Sequence, residues 1–218
     1  MARLLFEKRG NAVWISHLDL MRLFQRAFKR AGLNLKHTQG FNPRPSVSIA
    51  LPLSVGVESG CELLDFELEG ECPSCQEICQ RLNRALVSGV RVLSVSETGR
   101  KLRELALLRC RVTLEYDNGV TPETVERIRS LFRRDSLTVE KKSKNGPVQQ
   151  DLIPLIRSLE VTEEPNAVSL EAVVCCQNPS LNPMLLAAAV ETHLPDCSPD
   201  HTRCARLEIM DTNETVFR

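Results

Sequence analysis

Between residues 3 and 95 the hydrophobic period changes in an order that few folds accommodate. Arg3 to Lys8 reads as a strand. Ser16 is a helix N-cap, and Asp19 three residues later stands where a capping box has Glu or Gln. Leu20, Leu23, Phe24, Ala27, Phe28 and Ala31 then recur at helical spacing, and Gly32 falls at the C′ position that ends a helix. Val47 to Leu53 and Leu63 to Leu68 read as strands. Pro73 to Leu86 reads as a second helix with Pro73 in its first turn, and Val90 to Val95 as another strand. The order β-α-β-β-α-β is that of the split βαβ, or ferredoxin-like, unit.

The second half repeats the order. Leu105 to Tyr116 is a strand ending at the turn Asp117-Asn118-Gly119. Thr121-Pro122-Glu123 starts a helix reaching about Arg133. Leu137 to Glu140 and Leu152 to Val161 are strands on either side of a soft segment, Lys141 to Pro147. Ala167 to Cys175 is a further strand, Asn182 to Thr192 a helix begun by Pro183, and Cys204 to Met210 a closing strand. The expected fold class is therefore α+β: two tandem ferredoxin-like (βαββαβ) units with antiparallel sheets, the second carrying an extra strand. The expected domains are 1–98 and 104–218, joined through the charged segment Glu97 to Glu104.

Aromatic residues make up only 4% of the 218, so Leu, Val, Ile and Ala must supply most of the core. Lys+Arg and Asp+Glu both total 28, and net charge names no partner. Distribution says more. Residues 1–56 hold nine basic residues against the acids Glu7 and Asp19, residues 127–144 hold seven more, and the last seventy residues are acidic. Two basic segments in a neutral chain can build a local electropositive face. No apolar run of eighteen residues exists, so no membrane association is expected. Charged residues by position 3 leave no room for a signal-peptide core. The expected location is the cytoplasm, where the nine cysteines stay reduced.

The segment Trp14 to Glu58 holds the best candidate for function. Arg22, Arg26, Lys29 and Arg30 fall on the helix face opposite the apolar stripe. The loop Gln39-Gly40-Phe41-Asn42-Pro43-Arg44-Pro45 follows. Pro43 restricts Asn42, and two prolines set the direction of Arg44, which suits bidentate pairing with phosphate or carboxylate. Phe41 is placed either to stack on a base or to plug the core. The expected substrate-binding residues are Arg22, Arg26, Lys29, Arg30, Gln39, Phe41, Asn42 and Arg44.

Other groups carry other chemistry. Cys72-x-x-Cys75-x-x-x-Cys79 has thiolates at metal-ligand spacing but needs a fourth ligand such as Cys61. His193, Cys197, His201 and Cys204 form a second set of ligand types in no standard zinc pattern. Asp65, Glu67 and Glu69 alternate on one strand, either as a metal-binding row or as a solvated sheet edge. His17 and His37 flank the basic helix, and either could act as a general acid–base group on a phosphodiester. No P-loop, dinucleotide fingerprint, nucleophile elbow or zincin motif occurs, and no cofactor is expected.

The run SHLDLMRLFQRAFKRAGL, the loop QGFNPRP and the strand SIALPLSVGVES resemble the N-terminal signature of the bacterial radical-SAM-associated domain of unknown function. The resemblance covers about fifty residues. It continues loosely in Asn182-Pro183 before a helix and Arg203 near the last strand. Members occur free-standing or fused to the C-terminus of radical SAM proteins, and their genes often lie near those for an E/G-type ribonuclease and for ribosomal proteins. The resemblance thus implies a radical SAM partner and a role near RNA. The family often has His at the position of Arg44, and the cysteine clusters lie outside its signature. The combined expectation is an accessory protein that binds RNA or another anionic substrate. The alternatives are a metal-independent RNA endonuclease using His17 or His37, and a protein-interaction module that docks on an acidic partner.

Overall fold

The computed structural model describes residues 1–97, 100–143 and 146–218. Thr98 and Gly99 of the expected link, and Lys144 and Asn145 of the expected soft segment, lie outside the described residues. The protein is α+β, with four α-helices among the described residues and antiparallel strand pairing within each of two compact units. The first unit comprises Met1–Glu104 with Val216–Arg218, and the second Leu105–Thr215.

The first unit contains β1 (Ala2–Lys8), α1 (His17–Arg30), β2 (Val47–Ile49), β3 (Val57–Phe66), α2 (Cys75–Ala85) and β4 (Val90–Glu97). Its strand order is β4-β1-β3-β2. Leu4 and Phe6 of β1, Leu64 and Phe66 of β3 and Val90 and Val92 of β4 form a buried cluster with Leu20, Phe24, Ala27 and Phe28 of α1 and Ile78 and Leu82 of α2. Phe6 meets Phe24 edge-on at 4.7 Å between ring centroids, and Phe28 meets Phe66 at 4.9 Å. Each large apolar side chain buried here contributes roughly 1.5–3 kcal/mol, far more than any single surface ion pair.

The ends of α1 follow from its sequence. The Ser16 hydroxyl accepts a hydrogen bond from the Asp19 amide at 3.2 Å and donates to the Asp19 carboxylate at 2.8 Å. At the other end Gly32 adopts φ +66°, Gly32 N–H donates to Lys29 O, and Leu33 N–H donates to Phe28 O. That pair of bonds is a Schellman termination, which needs the left-handed conformation glycine adopts without strain. The second helix starts at Cys75, two residues later than expected. Ser74 is its cap, accepting from Glu77 N–H at 3.2 Å, and Pro73 precedes the cap.

Two strand expectations change. β2 is shorter than Val47–Leu53, stopping at Ile49, and β3 begins at Val57 rather than Leu63. The acidic row on β3 is not a solvated edge at Asp65. Asp65 is 6% exposed and Arg3 of β1 is 1% exposed. Arg3 Nε and Nη2 donate to the two Asp65 carboxylate oxygens at 2.6 and 2.9 Å, and Nη2 also donates to Arg100 O at 3.0 Å. The Phe217 ring lies 5.0 Å from the Arg3 guanidinium and 4.0 Å from that of Arg100. The register Arg3↔Asp65 brings two opposite charges together across neighbouring strands, and the tail shields them. Glu67 is half-buried and pairs with Lys36 at 3.1 Å.

The second unit contains β5 (Leu107–Glu115), α3 (Pro122–Leu131), β6 (Thr138–Ser143), β7 (Gly146–Asp151), β8 (Ile156–Glu164), β9 (Ala167–Cys175), α4 (Met184–His193) and β10 (His201–Met210). Its main strand order is β10-β5-β9-β8. In place of one extra strand beside a soft segment, β6 and β7 pair with each other as a separate hairpin. Thr121 caps α3 by accepting from Thr124 N–H at 3.2 Å. No helix among the described residues is long and apolar enough to cross a membrane.

Removing one partner of a buried ion pair strands the other charge, at a cost of about 3–5 kcal/mol. Urea unfolding of Asp65→Asn should show a loss in that range. The double variant Arg3→Met/Asp65→Leu should recover most of it.

Candidate functional site

The chain leaves β1 through a short 3-10 turn, Gly10–Trp14, before α1 begins. Lys8 at the end of β1 is fully buried, and its ammonium donates to Val13 O at 3.0 Å and Ile15 O at 3.1 Å. Gly56 N–H donates to Val13 O at 2.9 Å as well. These bonds hold the start of α1 against the sheet.

On the outer face of α1, Arg22, Arg26, Lys29 and Arg30 are all exposed, as their spacing implies. They are not equally available. Arg22 pairs with Asp19 at 3.0 Å, and Arg30 donates to the Ala85 carbonyl that ends α2, at 2.6 Å. Arg26 and Lys29 have no ion pair among the described residues. Hydrogen bonds from Ser16 and then Arg22 hold the Asp19 carboxyl below its ordinary pKa, so it stays charged beside the cap.

The loop after α1 stands on a closed stem. Lys36 N–H donates to Glu67 O at 2.9 Å, Ser46 N–H to Lys36 O at 2.7 Å and Glu67 N–H to Ser46 O at 3.1 Å. One step higher, Thr38 N–H donates to Arg44 O at 2.8 Å and Arg44 N–H to the Thr38 hydroxyl at 3.0 Å. His37 and Pro45 face each other in an isolated bridge. Gly40 at the tip has φ +133°, a conformation side chains rarely adopt. Beyond the stem, Gln39, Phe41, Asn42 and Arg44 are exposed. Phe41 reaches 106% of its reference exposure and plugs no core. The Gln39, Asn42 and Arg44 side chains make no hydrogen bond or ion pair among the described residues.

The two helix-flanking histidines do not meet. His17 is the first residue of α1, half-buried, with Nδ1 buried and without a hydrogen-bond partner. His37 is exposed on the loop stem beyond the far end of α1, whose 14 residues rise about 21 Å.

Neither cysteine set assembles a metal centre, and no group of three or more His, Cys, Asp or Glu among the described residues could hold an ion. Cys72 and Cys75 are exposed, but Cys79 faces inward and donates to Val92 O at 3.5 Å. Cys61 is buried beside Ser59. In the second unit His193 Nε2 donates to Thr138 O at 2.8 Å, Cys197 is buried with its carbonyl accepting from the Tyr116 hydroxyl at 2.9 Å, Cys204 is buried on β10, and His201 is exposed. Helical and strand spacing turned these ligand types in different directions. Burial raises the thiol pKa of Cys79 and Cys197, and pushes Cys176 and Cys204 to about 11. Cys110 rises further for the same reason.

Sequence reasoning did not single out Trp14 or Leu18. Both are large apolar residues left exposed, at 70% and 66%, beside the start of α1.

Residues 2–183 match the family described as "Uncharacterized protein conserved in bacteria (DUF2344)", and the chain belongs to that family. A search of curated proteins finds no match. Among solved structures, the chain is similar to one in the "Crystal Structure of a Cbf5-Nop10-Gar1 Complex" at 10% identity and TM-score 0.53, over 95% of this chain and 48% of that one. It thus spans about half the length of that chain, and the likeness is one of fold. A weaker similarity, at 11% identity and TM-score 0.27 over 97% of both chains, is to the "Crystal Structure of an Unknown Protein from Galdieria sulphuraria".

Only the thiolate attacks a disulfide reagent, and exposure favours two thiols of the nine. Titration of the native protein with an aromatic disulfide reagent should give two fast equivalents. Mass spectrometry should map them to Cys72 and Cys75, with the buried thiols reacting only after denaturation.

Proposed function

We propose that this member of the family is a non-catalytic binding protein that holds RNA on the outer face of α1 and on the Gln39–Arg44 loop. A radical SAM partner would act on what it holds. The observation that carries the reading is the loop tip. A phenylalanine is held wholly in solvent on a hydrogen-bonded stem, with Gln39, Asn42 and Arg44 beside it and no intramolecular use for any of these side chains among the described residues. An exposed ring offers a stacking surface to a base. Arg26 and Lys29, which form no ion pair among the described residues, offer charge to the phosphates. The radical SAM context rests on the resemblance of the loop and its flanking segments, and the cytoplasmic location on composition.

We take both units to be ferredoxin-like. The orders β4-β1-β3-β2 and β10-β5-β9-β8 support this, because each places the fourth strand of a βαββαβ set beside the first, once the β6–β7 hairpin is counted as an insertion.

Binding of a fluorescently labelled single-stranded RNA, followed by anisotropy at several salt concentrations, tests the reading. Phe41→Ala should weaken binding by about 1–3 kcal/mol. Arg26→Ala/Lys29→Ala should weaken it at low salt and reduce the slope of log K against log salt by about 1.4, two phosphate contacts' worth. Equal affinity in all three proteins would sink the reading.

A further inference from the structure

The geometry points to Trp14 as a second stacking residue, which would make the ligand a single strand of nucleic acid several nucleotides long rather than a duplex or a mononucleotide. This inference rests on the binding reading above and specifies its ligand.

Trp14 is presented, not merely left outside. The carbonyls on either side of it, Val13 O and Ile15 O, both accept from the buried Lys8 ammonium. Val13 O also accepts from Gly56 N–H. A buried ammonium is costly until its donors are satisfied, and two of its bonds go to the backbone flanking one exposed indole. The ring edge lies 3.6 Å from where a side chain at Gly56 would begin, beside exposed Val55. The indole thus has a fixed backbone and a neighbour on one side, while most of its surface stays open.

The register then sets the distance to the other aromatic residue. Trp14 follows Lys8, at the end of β1 that pairs with Ser59. The Phe41 loop leads into β2, whose Val47 pairs with Phe66, and Phe66 pairs with Ala2 at the opposite end of β1. The segments carrying the two aromatic residues therefore meet the sheet at opposite ends of β1, whose length from Ala2 to Lys8 is about 20 Å at about 3.3 Å per residue. The helix that joins these ends is α1. Its exposed Leu18, Arg22, Arg26 and Lys29, at steps of four, four and three, share one face. An aromatic group at each end and cations between match a single strand, whose bases are free to stack while its phosphates run along the helix. At about 3.4 Å per stacked nucleotide the track spans roughly six. A duplex hides its bases from both rings.

The chain contains one tryptophan, so intrinsic fluorescence reports on Trp14 alone. The protein is titrated with octauridylate, octadeoxyuridylate, uridylyl dinucleotide and an RNA hairpin, while anisotropy of labelled octamer gives affinity. The expected results are quenching by an octamer and little by the hairpin. Trp14→Ala should bind the octamer about tenfold more weakly, Trp14→Phe should retain most of the affinity, and the dinucleotide should bind at least tenfold more weakly than the octamer. Comparing the two octamers identifies the sugar. If the octamer binds and Phe41→Ala weakens it, but Trp14 emission and Trp14→Ala affinity do not change, the inference fails and the loop reading stands. If wild-type protein binds no oligomer, both fail. Quenching by an acidic polypeptide but by no oligomer would overturn both in favour of a protein partner.

Discussion

The buried Lys8 ammonium governs how the chain leaves its first strand, and much of the first unit depends on that exit. A strand-to-helix connection has to deliver the helix with its apolar stripe facing the sheet. Here Lys8 gathers the carbonyls of Val13 and Ile15, the first of which also accepts from Gly56 N–H. Ser16 can then cap α1 at the point where Leu20 and Phe24 fall onto Phe6. A neutral side chain at position 8 would leave those carbonyls without these donors. The charge is costly to bury, and two of its N–H donors serve the connection.

The opposite end of the same strand uses charge differently. Arg3 is matched by Asp65 across the sheet, with the Arg100 carbonyl and the Phe217 ring completing its surroundings. β1 therefore carries apolar residues toward the helices and buried cations near both ends. The exposed cations of α1 contrast with these. Arg22 and Arg30 spend part of their charge in direct contacts within the protein, whereas Arg26 and Lys29 form no ion pair among the described residues. The basic face that composition suggests is narrower in chemistry than in sequence.

The helices were legible because their signals are local. Ser16, Asp19 and Gly32 bracket α1, and Thr121 brackets the start of α3. The first half of β3 was missed because Val57-Glu58-Ser59-Gly60-Cys61-Glu62 mixes a glycine with polar residues, and its strand character comes from pairing with β1. The β6–β7 hairpin was missed for a related reason, since Lys141 to Pro147 has no apolar period to read. Asp65 looked solvated because alternation says which face a residue takes, not what covers that face. The loop at Gln39–Arg44 was visible through its prolines and glycine. The Thr38–Arg44 brace that makes it rigid is a matter of distance. Trp14 escaped notice because exposure, which makes it interesting, is a property of the folded chain.

The path of the chain places a condition on the birth of the first unit. Val216 to Arg218 belong with the first unit, and Phe217 lies over Arg3 and Arg100. A ribosome emits the second unit before it emits Phe217. At a typical elongation rate the nascent first unit therefore waits on the order of ten seconds with its Arg3 side chain lacking that cover. A chain cut within the second unit would lose Phe217, and its first unit would keep the Arg3–Asp65 pair without that cover.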